Sequence, residues 1–105
     1  MLHVHKILVL RFSSIGDIVL TTPVIRCMHR QLENAEIHYL TRTVYMPLLE
    51  HNPYIHRLMG FDHSPQELLP RLKAEHYDFI VDLHRNFRTV ALRLRLLRPS
   101  ASFPK

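Results

Sequence analysis

Glycine is the first scarcity in this 105-residue sequence, which has only Gly16 and Gly60. Two isolated glycines cannot form a glycine-rich nucleotide loop, and neither the GxGxxG turn nor the Walker pattern occurs. Cysteine is scarcer still. The single Cys27 excludes an internal disulfide framework and makes a reducing cytosol the expected setting. Its apolar neighbours and the lack of a local activating group predict a buried, inert thiol. Long hydrophobic runs are missing as well. The longest, Ile7-Leu8-Val9-Leu10, falls far short of the roughly 20 residues of a membrane span. It also lacks the length and small-residue cleavage pattern of a secretory signal. Acidic residues are absent from one end: residues 84–105 hold Arg85, Arg88, Arg93, Arg95, Arg98 and Lys105 and no Asp or Glu.

What remains is sufficient for one small domain. Apolar residues make up 47% and charged residues 22%, a balance that supports a packed core and excludes a disordered chain. The formal net charge is +5, yet the first 83 residues sum to −1, so the positive excess lies wholly in the carboxyl-terminal stretch. A basic tail on a near-neutral body points to an anionic partner or to a solubilising surface.

Short apolar runs alternate with helix-period segments. Lys6–Leu10 reads as a strand buried on both faces, followed by a turn through Phe12–Asp17. Ile18, Ile25, Met28 and Leu32 share one helical face. Either a helix begins at Pro23 under a Thr22 cap, or a longer one from Asp17 kinks at Pro23; the continuing stripe favours the kinked form. Asn34 is a stop signal, and Ala35–Thr41 is a second strand. A short helix over 43–51 would turn Val44, Leu48 and Leu49 inward. Ile55–Phe61 is a third strand. Ser64-Pro65-Gln66-Glu67 opens a helix to about Glu75, with Pro70 inside it. Tyr77–Leu83 is a fourth strand, Thr89–Arg98 a helix, and Ala101–Phe103 the start of a fifth strand. The order predicts an α/β fold, a Rossmann-like parallel sheet with helices on both faces and right-handed crossovers. A last strand at the terminus reads as a truncated chain.

In such sheets ligands bind beyond the carboxyl ends of the strands, and two of these ends are polar. The first is Arg11-Phe12-Ser13-Ser14-Ile15-Gly16-Asp17. Ser13 and Ser14 supply hydroxyls, and Gly16 allows a positive φ or close backbone approach. Asp17 sets a carboxylate at a helix start, either as a helix cap or as a fixed base for a sugar hydroxyl. The second is Asp82-Leu83-His84-Arg85-Asn86-Phe87-Arg88. His84, Arg85 and Arg88 would leave the same sheet edge as the first loop, with the arginines suited to phosphate or carboxylate. Asp82 is a partner for one of them. Arg93, Arg95 and Arg98 read as a solvated helix face. The nine histidines show no metal-ligand spacing, and no Ser-His-Asp order is legible.

The run Lys6-Ile7-Leu8-Val9-Leu10-Arg11-Phe12-Ser13-Ser14-Ile15-Gly16-Asp17, followed by Leu20-Thr21-Thr22-Pro23, resembles the amino-terminal signature of the family 9 glycosyltransferases, the ADP-heptose:lipopolysaccharide heptosyltransferases. Ala35–Leu40, His51-Asn52-Pro53-Tyr54-Ile55 and Tyr77–Leu83 are similar to further strand regions of that family. The resemblance implies the amino-terminal, acceptor-side half of a GT-B fold, incomplete over 1–105 and without its carboxyl-terminal donor domain. It implies an inverting, metal-independent transfer of heptose from ADP-heptose to an anionic lipid-linked core acceptor, with no cofactor. Asp17 matches the family's general base, Ser13 and Ser14 its neighbouring serines, and Arg88 its acceptor-facing basic residue. A chain lacking one cleft wall is expected to be inactive alone, since orientation supplies about 7–11 kcal/mol of barrier reduction. A cytoplasmic place, with peripheral contact at the inner membrane, suits a basic patch and a lipid acceptor.

Two other readings follow from the same residues. A nucleic-acid-binding module would use the arginine-rich tail, against the absence of a helix-turn-helix, zinc or stacking pattern. A non-catalytic remnant would self-associate through an exposed sheet edge.

Overall fold

The computed structural model describes residues 6–32, 35–84 and 100–102. The helix expected at Thr89–Arg98 lies outside them, as do the stop signal at Asn34 and the side chains of Arg85 and Arg88.

The expected α/β fold is present. Strands β1 (Lys6–Leu10), β2 (Glu36–Arg42), β3 (Arg57–Phe61), β4 (Phe79–Asp82) and β5 (Ser100–Ser102) form one sheet in the order β3-β2-β1-β4-β5. Every pairing is parallel, with Leu10 opposite Leu40 on one side and Asp82 on the other. The chain therefore leaves β1 in one direction across the sheet and β4 in the other. In parallel α/β sheets ligands bind at such a reversal, here beyond the carboxyl ends of β1 and β4.

Side-chain alternation divides the core in two. Leu8 and Leu10 join Leu40, Phe61, Ile80 and Leu72 of α3 (Leu69–Glu75) on one face. Ile7 and Val9 join Ile37 and Tyr39 with Ile18 of α1 (Ile15–Leu20) and Ile25 of α2 (Thr22–Gln31) on the other. Because β1 lies between β2 and β4 and is covered on both sides, its unbroken aliphatic run is the pattern a central parallel strand requires.

Three local expectations need correction. The single kinked helix from Asp17 is two helices, α1 and α2, broken at Thr21. Pro23 has no N–H for the Val19 carbonyl, and the Thr22 hydroxyl donates to that oxygen instead at 2.9 Å. The Thr21 hydroxyl donates to the Ile18 carbonyl at 2.6 Å, so the Tyr39 hydroxyl, 2.9 Å away, donates to Thr21. Burial pushes Tyr39 up to about 12, which keeps that proton in place.

The segment expected as an inward-facing helix over 43–51 is a 3-10 helix, Thr43–Leu48. Pro47 removes the N–H an α-turn would need, and the tighter turn leaves Val44 67% and Leu48 43% exposed while Leu49 is buried. Cys27, expected to be buried, is exposed on the outer side of α2.

Elsewhere the sequence signals match the backbone. Ser64 and Glu67 form a reciprocal capping box, followed by a 3-10 turn at Pro65–Leu68 before α3. Pro70 falls in the first turn of α3, where its missing N–H costs nothing, and His76 ends the helix in the left-handed conformation. The fifth strand begins one residue earlier than expected.

Candidate active site

Two loops meet at the reversal, one after β1 and one after β4. The strands set their relative position. Leu83 N–H donates to the Leu10 carbonyl at 2.9 Å, which continues the β1–β4 ladder one step past the sheet. Phe12 N–H donates to His84 Nδ1 at 3.2 Å, and the two rings stack at 5.1 Å. A backbone donor at Nδ1 places the ring proton on Nε2. Asp82, fully buried, accepts from the His84 N–H at 2.9 Å and so shapes the turn after β4; the arginines expected to pair with it lie outside the described residues.

Arg11 crosses between the loops. Its guanidinium donates to the Leu83 carbonyl at 2.6 Å and meets Asp17 Oδ2 at 2.8 Å. The Arg11 side chain is 7% exposed, that of Asp17 52%. Burial of one partner and exposure of the other aim the pair outward from the core. The Arg11 Nε is buried without a hydrogen-bond partner among the described residues.

Asp17 is the third residue of α1, not its cap; Ser14 holds the cap position in extended conformation. The Ser14 hydroxyl donates to Asp17 Oδ2 at 3.1 Å, and the Ser14 backbone N–H also favours the charged carboxylate. These bonds, with the charge of Arg11, hold the Asp17 carboxyl below its usual 3.8. The aspartate therefore accepts from the cap residue and presents an ionised carboxylate beyond the carboxyl end of β1.

Gly16 is not in the left-handed region, contrary to that option, and beyond its chain neighbours and its own helix backbone no atom of the described residues lies within 4 Å of the position a Cβ would take. The backbone there is open to approach from solvent. Ser13 is half-buried and Ser14 exposed beside it. The structure thus gathers Ser13, Ser14, Gly16 and Asp17 on one rim, with His84 buried directly behind. Arg85 and Arg88 lie outside the described residues. Sequence reasoning missed Arg11 as a positioning group. The available signal was a cation placed directly after four buried aliphatic residues. No group of three or more potential metal ligands occurs among the described residues.

No protein-family model matches the chain. Among curated proteins it is 34% identical over 92 residues to lipopolysaccharide heptosyltransferase 3 of Escherichia coli, covering 78% of this chain and 27% of that protein. Among solved structures it is similar to a glycosyl transferase of family 9 from Veillonella parvula DSM 2008, with TM-score 0.86 and 24% identity over 97% of this chain and 33% of that one. It is also similar to the Escherichia coli ADP-heptose lps heptosyltransferase II, with TM-score 0.81 and 22% identity over 92% of this chain and 30% of that one. The chain thus spans about a quarter of the curated relative's length and about a third of the structural neighbours. The family resemblance read from the sequence is borne out in both comparisons: the curated relative is a heptosyltransferase and the structural neighbours carry the same family's fold.

Proposed function

We propose that this chain, which resembles the family 9 glycosyltransferases, forms the acceptor-side half of an enzyme that moves heptose from ADP-heptose to a lipopolysaccharide-core acceptor on the cytoplasmic side. The observation that carries this reading is the Asp17 carboxylate, held by Arg11 and Ser14 and half-exposed to solvent beyond the carboxyl end of β1.

An acceptor hydroxyl is a poor nucleophile while it keeps its proton. As its oxygen closes on the anomeric carbon the hydroxyl acidifies, and a carboxylate within hydrogen-bond reach accepts the proton. Asp17 is suited to this because its carboxylate is ionised at neutral pH, half-exposed and fixed in direction by Arg11 and Ser14. Arg11 fixes the direction of the carboxylate and stays charged throughout the reaction. Attack from this side with ADP leaving on the other inverts the anomeric centre, and no step requires a metal. Ser13, Ser14 and the open backbone at Gly16 line the acceptor's approach, with Arg85 and Arg88 meeting its acidic groups. The donor is held mainly by a carboxyl-terminal domain, so the 105-residue chain alone binds acceptor and transfers nothing.

Two measurements test this. Titrating the chain with deacylated lipopolysaccharide core should shift the amide resonances of Ser14, Gly16 and Asp17; unmoved resonances there overturn the acceptor assignment. In a protein joining this segment to a donor domain, Asp17→Asn should lower heptose transfer by about 10²–10⁴-fold, and full activity in that variant would remove Asp17 as the base.

A further inference from the structure

A second feature of the molecule does not include Asp17: α2, the end of the 3-10 helix and the segment that follows it enclose an open groove of about 640 Å³. Arg26 and Arg30, one helical turn apart, stand on one wall; Leu48, Pro53 and Tyr54 line the rest, with His51 at the rim. The mixture is unusual for a solvated helix face. Neither arginine has a carboxylate within 4.0 Å among the described residues, a state they share with Arg42, Arg71 and Lys73, but of these cations only Arg26 and Arg30 line the groove. His51 lies 3.6 Å from Glu50, both well exposed, which leaves the two arginines as the groove's unneutralised charge.

The apolar surroundings point the same way. Leu48 of the groove belongs to the 3-10 helix that packs against α1, and around it Val44, Val19 and Leu20 are 67%, 48% and 71% exposed. Aliphatic side chains left in water beside unpaired guanidinium groups match the boundary between lipid headgroups and acyl chains. Arginine binds phosphate through paired donors, and the aliphatic ridge accounts for the apolar part.

We propose that this groove seats the phosphate headgroup of an anionic phospholipid between Arg26 and Arg30, with Val44, Leu48 and Leu20 entering the interfacial layer. The inference goes beyond the transfer reading and does not depend on it, because lipid docking needs neither donor nor acceptor sugar.

The test is co-sedimentation of the 105-residue chain with phosphatidylcholine vesicles, with and without about 30% phosphatidylglycerol. Binding is expected only to the anionic vesicles. Arg26→Ala with Arg30→Ala should lower partitioning about thirtyfold, while Arg93→Ala with Arg95→Ala, an equal loss of charge, should lower it less than about threefold. Leu48→Ser should weaken partitioning with no change in charge. Equal losses in the two arginine pairs would make the attraction one of net charge and overturn the site. Displacement by inorganic phosphate at the same phosphate concentration would make it a free-phosphate site and overturn the lipid assignment. A readout on the unaltered chain guards against misfolded variants. Bicelles containing phosphatidylglycerol should shift the amides of Arg26, Leu48 and Tyr54, and shifts confined to other residues would exclude the groove.

Discussion

Arg11 and Asp17 meet at 2.8 Å across the edge of the sheet, one side chain buried and the other half in water. The guanidinium is held by the β4 side through the Leu83 carbonyl, so the carboxylate of the β1 loop is oriented by a strand on the far side of the topological reversal. This contact ties the chemistry of one loop to the position of the other.

The Asp17 carboxyl should titrate below 3.8, as followed by carboxyl carbon shifts in the isolated chain. Ser14→Ala removes the largest stabilising hydrogen bond and should raise that value; Arg11→Ala should raise it as well. A carboxyl unmoved by either substitution would contradict the geometry described.

Arg11→Met keeps much of the side chain's volume but loses the bond to Leu83. A charged hydrogen bond to a buried carbonyl is worth about 2 kcal/mol, and urea denaturation should show a loss of that order. Asp17→Asn should leave the midpoint nearly unchanged, since its half of the ion pair is in water and screened.

His38 is buried against Tyr77, whose hydroxyl lies 2.8 Å from Nδ1, with Glu36, Glu75, Arg57 and Lys6 around it. Burial lowers its pKa from 6.5, although Glu75 and Glu36 oppose the shift. Below 6.5 the unfolded chain takes up this proton before the folded one does. Stability should therefore fall as pH drops from 6.5 towards the lower folded value and level off beneath it. Comparing denaturation at about pH 7.5 and about pH 5.5, His38→Gln should show a smaller loss than the unaltered chain, which isolates this histidine from the others.

Gly60 marks the closest approach of β3 to the 3-10 helix. A Cβ there would run into Met46 Sδ and come within 2.9 Å of the Thr43 Cα, a backbone atom that cannot swing aside. Gly60→Ala should cost about 1–3 kcal/mol by overpacking, while Gly16→Ala, which meets nothing, should be tolerated in the fold. Thermal melts of the two variants check the contrast.

The sheet was legible because each parallel strand is a short aliphatic run between polar turns, and Asp17 stood out by following one. Two features of the site were hidden. An arginine after a strand reads as solvent-exposed, and only the Leu83 carbonyl, 72 residues away, makes its burial tolerable. His84 reads as a surface group until Phe12 is seen to stack on it. The segment 43–51 departs from expectation for a different reason: periodicity suggests an inward stripe of Val44, Leu48 and Leu49, but Pro47 withdraws the N–H that an α-turn requires. Long-range pairs and backbone donors are not encoded in local spacing, and these were the points where spacing failed.

The stack of Phe12 on His84 carries a consequence for anyone reworking this protein. The aspartate loop is not a portable cassette: grafted onto another scaffold, residues 11–17 would arrive without the imidazole that receives the Phe12 amide and without the carbonyl that steadies the guanidinium. A transplant would have to bring Leu83 and His84 along, and a library that randomises either stretch alone would sample mostly broken hinges between the two.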